Sequence, residues 1–308
     1  MKGQIVKIIS NLYTVSSNNK IYECHSRGKF RKDNITPVVG DYVIFDEKEN
    51  YILEIQKRKN SLVRPLVANI DQAFIITSVK IPMFSTNLLD KLLIVIEHNN
   101  IKPVICLTKI DLLTKEEKKN IKKYIKYYKS LGYVVLTNKN LFRIKRMFRG
   151  KTTVFTGQTG AGKSTLLNKL DKKLSLEIGE ISKALGRGKH TTRFVELHEL
   201  YGGKVLDTPG FSMIDLGGFT DEDIRDSFKE FKKYNCPFRD CYHINEKECN
   251  VKKAITGDEI LKERRKNWKP RKPKYEKGVL RLIEAFKNLS KKYNELELNL
   301  AGDGPILE

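Results

Sequence analysis

"VFTGQTGAGKSTLLNKL", residues 154–170, holds Gly157, four intervening residues and then Gly162-Lys163-Ser164, the spacing of a phosphate-cradling loop. A short β-prone run, Thr152 to Phe155, precedes it, and Leu166, Leu167 and Leu170 follow at helical spacing. Strand, loop and helix are the context such a loop requires. Glycines let the backbone N–H groups approach a phosphate at the start of a helix. The nucleotide-binding set is therefore Gly157, Gln158, Thr159, Gly160, Ala161, Gly162, Lys163, Ser164 and Thr165. Lys163 is expected to neutralise the β- and γ-phosphates, and Ser164 to ligate Mg²⁺. A glycine-rich turn with a chance lysine is the competing reading, and the flanking elements argue against it.

A phosphate loop does not say which base it serves. Residues 71 to 137 alternate strand and helix: "AFIITSV", then "NLLDKLLIVIEHN", "PVICLT", "KEEKKNIKKYIKYYKSLG" and "YVVLT". That alternation predicts a parallel sheet. Its middle strand runs into Thr108-Lys109-Ile110-Asp111, which resembles the N-K-x-D element of GTPases with Thr in first place. A carboxylate suits guanine, because two oxygens accept from two N–H donors on the ring edge. Asp111 is thus the predicted base reader, framed by Thr108 and Lys109; the competing reading makes Asp111 the N-cap of the next helix. Most GTPases place this element after the phosphate loop, and here it comes before, so the order is permuted.

Downstream, "GKVLDTPGFSM" carries Asp207-Thr208-Pro209-Gly210 after an apolar strand. Asp207 is expected to hold Mg²⁺ through water, and the Gly210 N–H to sense the γ-phosphate. Between the two motifs lies "GRGKHTTRF", residues 186–194. A threonine is needed there for the metal, and Thr191 and Thr192 both qualify.

The first 65 residues form short β-prone runs separated by Asn, Gly and Asp turns, the pattern of a small barrel. Basic residues cluster around Phe30 in "RGKFRKDN", residues 27–34; this is either an RNA-facing surface with a stacking ring or a solvated loop. Across the chain, 59 Lys and Arg against 37 Asp and Glu give a net charge of +22, which favours a polyanionic partner. A lysine-rich codon bias produces the same excess until the charge is localised. No stretch is apolar enough to cross a bilayer, and the start lacks a signal-peptide core, so no membrane association and a cytoplasmic location are expected.

The ordered set T-K-x-D, G-x-x-x-x-G-K-S, G-R-G-x-H-T-T and D-T-P-G-F is similar to the RsgA family, the circularly permuted GTPases of small-ribosomal-subunit maturation. "VVGDYV" and "NIDQAFII" add to the resemblance, which covers roughly residues 1–265. It implies an N-terminal OB-fold, a central P-loop GTPase and a zinc subdomain, with slow GTP hydrolysis that the small subunit and its rRNA stimulate. One residue supports slow turnover on its own: Phe211 stands where many GTPases carry a water-orienting glutamine, and its ring makes no hydrogen bond. His190, beside the two threonines, is the candidate for positioning water. The competing reading gives His190 an RNA contact or a loop cap.

"NCPFRDCYHINEKEC" sets Cys236, Cys241, His243 and Cys249 within fourteen residues, three thiolates and an imidazole suited to a closed, structural Zn²⁺ site. A disulfide framework would leave one of these three cysteines unpaired in a reducing compartment. Cys24 and Cys106 lie in β-prone runs and read as core residues. "RRKNWKPRKPK", residues 264–274, reads as a basic, proline-interrupted linker. The remaining tail resembles a fragment of GT-B glycosyltransferases through "AGDGP", yet is too short for a sugar-nucleotide domain; an amphipathic helix from Lys277 to Tyr293 is the alternative.

The expected architecture is a multidomain chain: an OB-fold barrel at 1–65, a circularly permuted α/β P-loop GTPase at 66–222, a zinc-binding α-helical subdomain at 223–268, and a basic linker with an atypical tail at 269–308. The expected protein is a monomeric GTP hydrolase using Mg²⁺ with GTP and one structural zinc. A nucleotide-gated RNA-binding module with incidental hydrolysis and an ATPase are the alternatives.

Overall fold

The computed structural model describes residues 1–27, 30, 35–63, 66–171, 195–207, 218–238, 241–244, 246–257 and 259–267. These lie in one compact unit, Met1–Asn267. Its first part is a five-stranded OB-like barrel: β1 (Lys2–Ile9), β2 (Leu12–Ser17), β3 (Lys20–Ser26), β4 (Tyr42–Asp46) and β5 (Tyr51–Ile55). Strand β1 pairs with both β2 and β4, and β3 pairs with β5, which closes the sheet on itself. Alternation of inward residues such as Tyr13 and Val15 fills the interior, as strand geometry requires.

Phe30 belongs to that interior, only 8% exposed within the barrel core. The sequence placed it as a stacking ring; burying a large apolar ring outweighed display, and it packs instead. Asp41, from "VVGDYV", is buried and accepts two bonds from Arg58, at 2.7 and 2.8 Å. A hairpin of β6 (Ser61–Val63) and β7 (Leu66–Ala68) bridges to Val39 and leads into the second sheet region.

That region contains β8 (Gln72–Ser78), α1 (Thr86–His98), β9 (Lys102–Thr108), α2 (Lys115–Ser130), β10 (Val134–Thr137), α3 (Leu141–Phe148), β11 (Thr152–Gly157) and α4 (Lys163–Leu170). The hairpin β12 (Glu196–Leu200) and β13 (Gly203–Asp207) comes next. Strand order is β10-β9-β8-β11-β13-β12, parallel up to the β13–β12 pair. Fully apolar strands such as β9 reflect burial on both faces. One face packs α1 and α2, through Leu89, Leu93 and Ile121, and the other packs α3 and α4, through Ile144, Phe148 and Leu167. Strand β12 also pairs with β1 at Lys7 and Glu196, whose side chains form an ion pair at 2.8 Å.

Short helices end the described chain: α5 (Asp221–Asp226), α6 (Asn250–Thr256) and α7 (Lys262–Asn267). Arg264, which the sequence placed at the head of a solvated linker, is 2% exposed. Its guanidinium bonds Glu230 and Asp90, both buried, so two acids and packing draw it inside and fasten α7 to α1.

Candidate functional site

The phosphate loop sits where β11 turns into α4. A Cβ at Gly157 would come within 2.0 Å of the Ile76 carbonyl oxygen on β8, so only glycine lets the two strands run this close. Gly162 caps α4 at φ 93°, a left-handed conformation that costs other residues strain. Lys163 turns back over the loop and donates to the carbonyls of Gly157 and Gln158, at 2.8 and 3.2 Å.

Strand β9 delivers Thr108 to the same place. Its buried hydroxyl donates to the Ala161 carbonyl at 2.6 Å, and Lys109 donates to Gly160 at 2.9 Å and to Ile81. The permuted element and the phosphate loop are therefore bonded to each other, although about fifty residues separate them in the chain. Both lie at the C-terminal ends of parallel strands, where open α/β sheets bind ligands. Asp111 falls in a 3₁₀ turn, Ile110–Leu112, and is exposed. It is not the cap of α2: Thr114 fills that place in a reciprocal box with Glu117.

The turn after β10 was not singled out from the sequence. Register sets Thr137 beside Leu107, so Thr137-Asn138 end level with Thr108. Asn138 Oδ1 is buried without a hydrogen-bond partner among the described residues. The available signal was polar "TNKN" directly after an apolar strand.

Asp207 ends β13, one residue past the Val154–Leu206 pair with β11, which brings its backbone beside the strand leading into the loop. For Asp207 the description reaches the backbone only, while Thr191, Thr192, His190, Gly210 and Phe211 lie outside the described residues.

The four C-terminal ligands come together. Cys236, Cys241, His243 and Cys249 offer donor atoms all within 4.8 Å of one another. A tetrahedral Zn²⁺ with bonds of about 2.3 Å to sulfur and about 2.05 Å to nitrogen requires S···S edges of about 3.8 Å and S···N edges of about 3.5 Å. The cluster shows 3.8 Å for Cys236–Cys249, and 3.5 and 3.4 Å from His243 Nδ1 to those two sulfurs. The donor set fits the metal. Burial, then the nearby Arg225, holds the His243 pKa below its ordinary value, which favours the neutral, ligating imidazole. Cys24 and Cys106 are buried in strands away from this cluster, as expected of core residues.

Residues 55–217 match the RsgA GTPase family and residues 2–52 its N-terminal domain. The chain belongs to the RsgA family of GTPases. A relative from Oceanobacillus iheyensis, named small ribosomal subunit biogenesis GTPase RsgA 2, is 46% identical over 89% of this chain and 99% of its own length. The Streptococcus pneumoniae small ribosomal subunit biogenesis GTPase RsgA is 44% identical, covering 95% of this chain and 99% of that one. Among solved structures, YloQ, a circularly permuted GTPase, superposes with TM-score 0.72 at 35% identity, over 94% of this chain and 95% of that one. YjeQ from Thermotoga maritima gives 0.74 at 31% identity, over 94% and 98%. Membership makes this RsgA-type chain a GTP hydrolase. No described helix is long and apolar enough to cross a membrane.

Proposed function

We propose that this RsgA-family protein binds the small ribosomal subunit and hydrolyses GTP to GDP and phosphate during late subunit maturation, with the subunit accelerating a slow intrinsic turnover. The observation that carries the nucleotide part is the pair of bonds from Thr108 and Lys109 to the carbonyls of Ala161 and Gly160. A base-side element is thereby held at a fixed distance from the phosphate loop. The ribosomal part is supported by the names of the relatives and by the net charge of +22.

In this reading Asp111 accepts from the guanine edge while Thr108 and Lys109 frame it. Lys163 and the N–H groups of residues 157–162 stabilise charge developing on the transferred phosphoryl group. Mg²⁺, which a GTPase of this kind requires, would be held by Ser164, Asp207 and one of Thr191 and Thr192. His190 orients the attacking water where Phe211 makes no hydrogen bond, and Gly210 senses the γ-phosphate. Cys236, Cys241, His243 and Cys249 would hold one structural zinc, which folds a segment too small to build a large core. The working units are a barrel at 1–65, a GTPase at 66–222, a zinc subdomain at 223–268 and a linker with tail at 269–308, acting as a cytoplasmic monomer.

Steady-state GTP hydrolysis with and without mature small subunits, at low and moderate salt, tests this. A large stimulation that salt suppresses supports it. Subunit binding with unchanged hydrolysis would favour the RNA-binding module instead.

A further inference from the structure

Binding an unpaired RNA base needs an exposed ring, cations close to it and few competing acids. Phe30 does not supply this, because it is buried. Helix α3 does. Ile144 and Phe148 anchor it in the sheet core with Phe74 and Phe155, which turns residues 142, 143 and 146 outward. Phe142 is 75% exposed, and the Arg146 guanidinium lies 5.9 Å from its ring centroid. Beside it, Lys145 lies 4.6 Å over the ring of Tyr201 in the β12–β13 turn, and the Tyr201 hydroxyl is anchored by donating to the Leu170 carbonyl. Lys139, Arg143 and Arg149 are exposed around them.

Residues 139–151 contain six basic residues and no acidic one. Among the described residues none of Arg143, Lys145, Arg146 and Arg149 forms an ion pair. Helix α2, on the other face of the sheet, exposes more lysines but no comparable ring. Charge alone would attract any polyanion; the exposed ring with arginines around it narrows the class.

We propose that α3 and the β12–β13 turn form a docking surface for an unpaired RNA segment, with Phe142 stacking on a base and Arg143, Arg146 and Arg149 taking the flanking phosphates. This rests on the RNA-binding reading proposed above. A duplex keeps its bases stacked inward, so a loop or strand end is the partner that fits.

Fluorescence anisotropy of the full chain with a short unstructured RNA and with a duplex of equal length, each at two salt concentrations, tests it. Phe142→Ala should weaken unpaired RNA on the order of tenfold at both salts, leave the duplex unchanged, and be rescued by Phe142→Trp. Arg143→Ala with Arg146→Ala should flatten the salt slope for unpaired RNA by about 1.4. Equal binding by wild type and Phe142→Ala, or equal loss for both RNAs, overturns the surface. If wild type ignores unpaired RNA while small subunits still stimulate hydrolysis, the surface is wrong and the ribosomal reading stands. If both fail, both readings fall.

Discussion

Replacing Arg264 by Met should destabilise the protein far more than losing one surface cation would. Its guanidinium donates to both Glu230 oxygens, with the Nη2 bond at 3.1 Å, and to Asp90 Oδ1, and it lies 4.5 Å over the Phe228 ring. Arg264 and Glu230 are each 2% exposed and Asp90 is 1% exposed, so water cannot replace the lost partner. Tyr128 and Tyr127 donate to the same two acids, at 2.7 and 3.0 Å, but bring no charge. Orphaning buried charge typically costs about 3–5 kcal/mol, and at about 2–4 °C per kcal/mol for a unit of this size the midpoint should fall by about 10 °C. Adding Asp90→Asn and Glu230→Gln in that background should recover most of the loss, because the carboxamide oxygens still accept from the tyrosines. The pH dependence has a definite sign. Burial raises the Asp90 pKa, and Arg264 opposes the rise. Without Arg264 the folded pKa climbs further above the unfolded one, so the folded state gains protons, and stability falls as pH rises between the two values. The deficit of Arg264→Met should therefore shrink toward acid pH. Urea unfolding of the zinc-loaded protein, followed by far-ultraviolet circular dichroism, measures wild type and both variants. A deficit below about 1 kcal/mol, the scale of an exposed pair, would refute the argument.

Asp111→Asn should weaken GTP and admit xanthosine triphosphate, measured by competition binding; unchanged GTP affinity removes Asp111 as base reader. Thr108→Val deletes the donor to the buried Ala161 carbonyl and should cost about 1–3 kcal/mol of stability with weaker GTP binding, whereas Thr108→Ser should retain both. Equal behaviour of the two variants would show that the bond does not hold the loop. Zinc content should be one per chain, and chelation should unfold the segment around α6, because Cys249 Sγ both joins the cluster and accepts the Lys252 N–H at 3.4 Å at that helix start. Metal-free protein with unchanged helical signal and thermal midpoint would argue for a mere thiol cluster.

The elements legible in the sequence were those whose residues agreed at every level. Strand β9 and α2 are examples: a continuous apolar run, then a polar-faced helix opened by Thr114 and Glu117. The cysteine cluster was legible because its ligands are close in sequence and chemically distinctive. Helix α3 was not singled out, since Leu141, Ile144 and Phe148 are interspersed with basic residues that mask the periodicity. Arg264 and Phe30 were misplaced for one reason: a basic run reads as solvated, and only tertiary packing reveals the acids or the cavity that draw one member inside. The turn at Asn138 depends on register between two strands, which residue types alone do not specify.

Permutation leaves the nucleotide site intact because the site is made of strand ends, not of chain order. Strands β9 and β11 flank β8, and parallel register brings Thr108 and Gly157 to the same edge. Their polar contact is then local in space whichever strand is made first. The permuted order does change the element to which the γ-phosphate side is joined. After Asp207 only thirteen residues intervene before Asp221 opens α5, and Cys236 comes shortly after. The cluster segment is in turn tied to α1 and α2 through Glu230, Arg264, Asp90 and Tyr127. Two tethers, one covalent to β13 and one polar to the opposite helices, therefore flank the segment that a GTPase uses to register its nucleotide. The RsgA-type order thus joins the sensing end of the sheet directly to the zinc subdomain, a connection that a GTPase ending on its base-side helix would lack.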